Sequence, residues 1–281
     1  MAVVGATGFI GRCVCRKLAE QGAQVCPIGR EDTGNLESVF GRVHPAIVFN
    51  LAGYGVNPSE RDEATAWSVN ADLPRRLAEA LACEDTARLI HVGSGAEYGH
   101  AGGDLREDGP ASPTTLYGKS KLSGTEAVAE RSRALGLRSV IARLFTVYGP
   151  GEHAGRLLPS LIECRRTGRP LDLSSGAQRR DFTYVEDAAE GLLRLGVTSM
   201  ESGAIVNLAT GRLATVREFV EIAAGILGIP PENLNFGALS PNIHEMEHAP
   251  VAVNRLETLL GWLPPTTIAE GVRKTLEIGL L

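Results

Sequence analysis

Short apolar runs alternate along the chain with longer stretches in which apolar positions recur every three to four residues. That alternation predicts parallel strands joined by covering helices. Strands are expected at residues 1–4, 24–28, 46–52, 88–93 and 139–144, and helices at 9–21, 61–82 and 115–135. Together they predict an α/β fold, a doubly wound parallel sheet of the Rossmann type. Two features fit this pattern poorly. The first strand has only four residues before Gly5, and Pro27 removes a ladder donor from the second.

Beyond Gly149-Pro150-Gly151 the pattern is less regular. A helix is expected at 156–166, a strand at 171–174, a strand–helix unit at 182–195, a strand at 206–208, and helices at 216–227 and 268–277. The proline- and asparagine-rich remainder suggests a smaller mixed α/β lobe. The expected division assigns 1–146 plus 182–212 to a dinucleotide-binding domain and 147–181 plus 213–281 to a substrate lobe. No repeat is evident, and residues 242–249 match no pattern.

Composition narrows the function classes. The 281 residues suffice for a full core, 43% are hydrophobic, and no apolar run reaches the 18 or more residues of a membrane span. With no basic-then-apolar leader at the start, a cytoplasmic location is expected. Net charge is −5 and basic residues form no long run, which argues against nucleic acid as a partner. The five scattered cysteines (Cys13, Cys15, Cys26, Cys83 and Cys164) suit reduced, packing thiols. His244 and His248 lack a third clustered ligand, so no metal site is expected.

Gly5, Gly8 and Gly11 follow a predicted strand and open a predicted helix. Such a loop presents backbone amides and a positive helix end to a pyrophosphate, although a tight structural turn would use the same glycines. At the end of the second strand, where dinucleotide folds place a ribose-binding carboxylate, stands Gly29, followed by Arg30. A missing acid and an added guanidinium favour a 2′-phosphate, with Arg12 as a second contact. NADP is therefore the first choice and NAD the second; Glu31 points the other way.

Tyr117 and Lys121 are four apart in a predicted helix and share a face. The pair could simply be a tyrosine packed on a lysine stem. Yet only four lysines occur, beside 24 arginines, and lysine is the cation whose pKa can be tuned. A tyrosine working near neutrality needs its pKa lowered by about 3 units, and neighbouring positive charge can supply much of that.

Taken with Ser94, these motifs make the chain resemble the extended short-chain dehydrogenase/reductases, in their NDP-sugar epimerase/dehydratase/reductase branch. The resemblance also includes Asn50-Leu51-Ala52-Gly53, Val69-Asn70, Val147-Tyr148-Gly149-Pro150-Gly151, the run from Arg179-Arg180-Asp181 to Val185-Glu186-Asp187, and Leu260-Gly261-Trp262 followed by Pro264. It implies Tyr117 as proton donor or acceptor at the sugar oxygen and Lys121 on the nicotinamide ribose, lowering the tyrosine pKa. Ser94 would hydrogen-bond the same oxygen. Cofactor contacts would come from Gly5, Thr7, Gly8, Phe9, Ile10, Gly11, Arg12, Arg30, Leu51, Ala52, Asn70 and Phe145, and substrate contacts from Thr146, Arg156, Leu157 and Arg180. The helices at 63–82 and 115–135 resemble those that pair such proteins into homodimers.

Departures from the family pattern narrow the reaction. Dehydratases of this branch carry acids after the serine, where Gly95 and Ala96 stand here. Its 3,5-epimerase/reductases use a cysteine at the position of Ala96 and a histidine at that of Arg156. The segment from Gly93 to Gly99 is similar to that of reductases acting on the 4-keto group of an NDP-6-deoxyhexose. The expectation is an NADP-dependent ketoreductase, with an NDP-hexose 4-epimerase as the alternative and a non-catalytic dinucleotide-binding protein as a minor one.

Overall fold

The computed structural model describes residues 1–56, 60–84, 87–100, 103–240 and 249–279. The first half follows the predicted alternation: β1 (Ala2–Val4), α1 (Phe9–Glu20), β2 (Cys26–Ile28), α2 (Leu36–Val43), β3 (Ile47–Asn50), α3 (Glu63–Trp67), α4 (Leu73–Leu81), β4 (Arg88–Ser94), α5 (Leu116–Leu135) and β5 (Arg138–Leu144). The second half contributes β6 (Thr146–Tyr148), α6 (Leu157–Thr167), β7 (Leu171–Leu173), β8 (Arg179–Tyr184), α7 (Val185–Val197), β9 (Ala204–Leu208), β10 (Leu213–Thr215), α8 (Val216–Leu227), β11 (Leu234–Phe236), α9 (Asn254–Leu260) and α10 (Ile268–Gly279).

Six strands form one parallel sheet in the order β2-β1-β3-β4-β5-β9. This order places β2 at an edge, which explains how Pro27 is tolerated: β2 pairs only with β1, so a missing N–H need not interrupt a second ladder. On one face α1 packs against α7. The other face is covered by α2, α4 and α5 through Phe40, Leu77, Leu81 and Val128, all fully buried.

β8 pairs with β6 and β10 in a second, three-stranded sheet, and β7 pairs with β11. Apolar packing is continuous between the two regions. Tyr148 meets Phe219 edge-on at 5.1 Å and Phe182 stacks on Phe219 at 4.5 Å, in the same cluster as Val3 and Phe49 of the large sheet.

The helix expected over 61–82 is interrupted. A π turn (Ser68–Asp72) joins α3 to α4 and carries the fully buried Asn70. Its amide accepts from the Tyr54 N–H at 2.9 Å and donates to the Tyr54 carbonyl at 2.7 Å and to Ser120 Oγ at 3.0 Å. The π turn thus ties the loop after β3 to α5, a use of helix irregularity often seen at functional sites.

The five cysteines are free: Cys13 and Cys164 are buried, and Cys83 is exposed. Among the described residues no group of three metal-ligating side chains occurs, and no helix is long and apolar enough to cross a membrane. His244, His248 and residues 242–248 lie outside the described residues.

Candidate active site

The glycine loop is shaped for close backbone approach. Gly5 has φ +80°, and a Cβ there would stand 2.8 Å from the Ala52 nitrogen and 2.9 Å from the Leu51 carbonyl carbon. A Cβ on Gly11 would run into the Gly5 carbonyl, so α1 packs directly on the loop. Gly8 caps α1 without a side-chain hydrogen bond, and no acid occupies the first turn. The leading amides beside Phe9 and Ile10 are therefore available to an anion. These residues fit a dinucleotide pyrophosphate. Thr7 is exposed, and Leu51 and Ala52 are half-buried at the loop's edge. Arg12 Nη2 donates to the Gly151 carbonyl at 3.3 Å, which brings the loop after β6 to the start of α1.

Tyr117 and Lys121 lie in the first turns of α5, whose N-terminus is capped by Thr115. Ser94 ends β4 and caps a short 3₁₀ turn (Gly95–Glu97). The Ser94 hydroxyl lies near enough to the Tyr117 phenol to lower its pKa, so the two side chains stand close together. Their electrostatics differ from the expectation. Desolvation pushes the Tyr117 phenol above its usual 10, while Ser94 and the Arg156 charge pull it down. Lys121 is 2% exposed, donates to the Val92 carbonyl at 2.6 Å, and is pushed by burial to about 8, against the opposing pull of Glu97.

The centre of this region is Glu97, which the sequence reading missed. Fully buried, it accepts from the Ser94 N–H at 2.7 Å, the Thr125 hydroxyl at 3.0 Å and Arg143 Nε at 2.7 Å. Ser94-x-x-Glu97 forms a capping box, a visible signal had it been sought. Arg143 also lies over the Tyr98 ring at 4.5 Å, and Tyr98 donates to Asn207 at 2.7 Å. On the other side of Lys121, Asn50 Nδ2 lies 3.1 Å from Nδ1 of the buried His91 while Asn50 Oδ1 accepts from the Ala52 N–H at 3.3 Å. Asn50 therefore donates to His91. Burial and the Lys121 charge hold His91 well below its usual pKa, hence neutral.

Phe145 packs against Gly95, where a Cβ would come within 2.6 Å of its ring. Thr146 begins β6 opposite Phe182. Arg156 caps α6, with Leu157 as its first residue, and binds Glu152 at 3.3 Å. Glu152 is the second acid the sequence reading missed. Its second oxygen is buried without a partner, and burial raises its pKa to about 7 against the opposing pull of Arg156. Arg180 lies half-buried on β8 opposite Ala214, and Nη1 donates to the Arg179 carbonyl at 3.2 Å. None of the described contacts joins it to Tyr117. Open grooves of about 730 and 400 Å³ lie elsewhere, between α1, α7 and α10 and beside α6, and neither includes Tyr117. Cavity size alone does not locate the chemistry.

A parallel sheet with this glycine loop and a Ser–Tyr–Lys set defines a nicotinamide-dinucleotide enzyme class. Residues 1–209 match the NAD dependent epimerase/dehydratase family, and the chain belongs to it. It is 33% identical to a dTDP-6-deoxy-L-talose 4-dehydrogenase (NAD(P)(+)) of Kitasatospora kifunensis, over 98% of this chain and 93% of the relative. It is 26% identical to a UDP-glucose 4-epimerase of Mycolicibacterium smegmatis, over 98% and 96%. Among solved structures, MoeE5 in complex with UDP-glucuronic acid and NAD superposes with a TM-score of 0.89 at 28% identity, covering 99% of this chain and 98% of that one.

Proposed function

We propose that the protein reduces a keto group, at C4, of an NDP-6-deoxyhexose with NADPH or NADH. The observation that carries this reading is the convergence of Ser94, Tyr117 and Lys121 beside Gly95 and Ala96: a set that can pass one proton, with no acid at 95 or 96 to remove a second from carbon. The bound nicotinamide supplies the hydride. Tyr117 then delivers a proton to the carbonyl oxygen, Ser94 orients that oxygen, and Lys121 holds the ribose, so ketone, hydride and proton balance as alcohol. The Kitasatospora relative, a 4-dehydrogenase of a deoxysugar nucleotide, supports this choice.

Arg156 and Leu157 at the start of α6, Thr146, and Arg180 on β8 are the proposed substrate contacts, the arginines on the diphosphate and sugar. Residues 1–146 with 182–212 would bind the dinucleotide, and 147–181 with 213–281 the sugar nucleotide. The half-exposed Trp67 on α3 supports homodimer pairing through α3–α4 and α5. Arg30 supports NADP as first choice.

The test is to mix purified protein with a dTDP-4-keto-6-deoxyhexose and NAD(P)H and follow loss of the reduced cofactor. The second reading, a 4-epimerase, draws on the Mycolicibacterium relative. It predicts protein that retains NAD on purification and interconverts 4-epimers without added reductant, and that result would replace the reductase reading.

A further inference from the structure

β2 leaves the sheet at Ile28, paired with Val4, so Gly29 stands beside Gly5 at the mouth of the glycine loop. A carboxylate at this strand end is what accepts from the adenosine 2′-hydroxyl in dinucleotide folds, and Gly29 has no side chain to provide one. Yet the space is not vacant. A Cβ built on Gly29 would meet the Glu31 carboxylate before anything else: Oε1 is nearest, then Cδ at 2.6 Å and Oε2 at 2.7 Å. Glycine at 29 is a seat for the acid two residues on.

The turn that folds Glu31 back is itself held. The Gly29 N–H donates to Asp32 Oδ2 at 2.9 Å and the Asp32 N–H to the Gly29 carbonyl at 3.3 Å. Thr33 Oγ1 donates to the Arg30 carbonyl at 2.7 Å, and Arg76 on α4 donates to the Thr33 carbonyl. Arg30 projects into solvent from the same turn.

We propose that Glu31 takes the place of the missing strand-end carboxylate, accepting from the adenosine ribose of NAD, while Arg30 attracts the 2′-phosphate of NADP. Two adjacent side chains of opposite charge then set the cofactor balance. A carboxylate at this point accepts a hydroxyl well and repels a phosphate; a guanidinium does the reverse. The turn therefore admits both dinucleotides, and neither side chain alone excludes the other cofactor.

This inference rests on the dinucleotide-binding reading above, and the experiment separates the two. NAD and NADP are each titrated calorimetrically into the full chain and into Glu31→Gln and Arg30→Ala variants. Wild type should bind both. Glu31→Gln should weaken NAD by about tenfold or more without weakening NADP, and Arg30→Ala should weaken NADP by a similar factor and spare NAD. A Gly29→Asp/Glu31→Ala double variant, which returns the acid to the strand end, should regain NAD affinity. If wild type binds both cofactors and Glu31→Gln leaves their ratio unchanged, Glu31 has no such role and the parent reading stands. If wild type binds neither, the dinucleotide reading itself fails.

Discussion

The C-terminal end of β4 and the start of α6 supply the two halves of the candidate site, and they treat charge in opposite ways. At β4, Glu97 is sealed from solvent with three donors, and Lys121 is 2% exposed with a carbonyl acceptor. At α6, Glu152 has a single charged partner and one orphaned oxygen, and the Arg156 side chain is 36% exposed. Both Glu97 oxygens are bonded, although Arg143 Nη1 is buried without a partner, and a carboxylate so held keeps one arrangement, which suits groups that must meet a reacting atom at fixed distance. The half-exposed Arg156 can turn its charge toward a ligand that brings its own.

The largest effect that would test this contrast is on stability. Glu97→Ala leaves the buried Arg143 without a counter-charge and the Ser94 N–H and Thr125 hydroxyl without an acceptor. It should cost about 3–5 kcal/mol in urea unfolding. Glu152→Ala should cost far less, because Arg156 can turn to water. Equal losses would erase the distinction between the two regions.

Tyr117→Phe should reduce turnover by about a hundredfold or more while Tm and NAD(P) affinity stay near wild type, since only a proton donor is removed. Near-normal turnover would remove the proposed mechanism. On the substrate side, Arg180→Ala should weaken sugar-nucleotide binding by about 1.5–3 kcal/mol in calorimetric titration and leave free NADP binding unchanged. Equal loss for both ligands would make Arg180 structural.

The smallest effect is a pH signature that differs in sign between the halves. Glu152 has its folded pKa raised from 4.5 to about 7, so the native state binds more protons than the unfolded chain in that window and stability falls as pH rises through it. Glu152→Gln, neutral throughout, should lose that fall, and its Tm should gain on wild type between pH 5 and 7. Lys121 has its folded pKa lowered from 10.5 to about 8, so the unfolded chain binds more protons in that window and stability rises with pH. Lys121→Met should abolish the alkaline rise and leave the acid-side fall. A variant that moved both limbs would show the regions to be one coupled network.

The sequence by itself determined the parallel sheet and marked the glycine loop and the Tyr117–Lys121 pair as candidates, because each rests on local spacing: a strand's apolar run, a helix's four-residue repeat, three glycines at a turn; the family was legible as a resemblance of motifs along the whole chain. It did not show α2 or α9, nor β6, β10 and β11, strands of three residues each that are too short to carry a period. Nor did it show the π turn that swings Asn70 inward, since an extra residue per turn leaves no mark on composition. The partners that decide function came from tertiary structure alone. Glu97 meets Arg143 across 46 residues, and His91 meets Asn50 across 41, because register sets β3, β4 and β5 side by side. Gly29 reads in sequence as a lost carboxylate, and only the folded turn shows the Glu31 carboxylate in its place. Periodicity records what a residue needs from its own element; which charge stands opposite it is a property of how the elements pack.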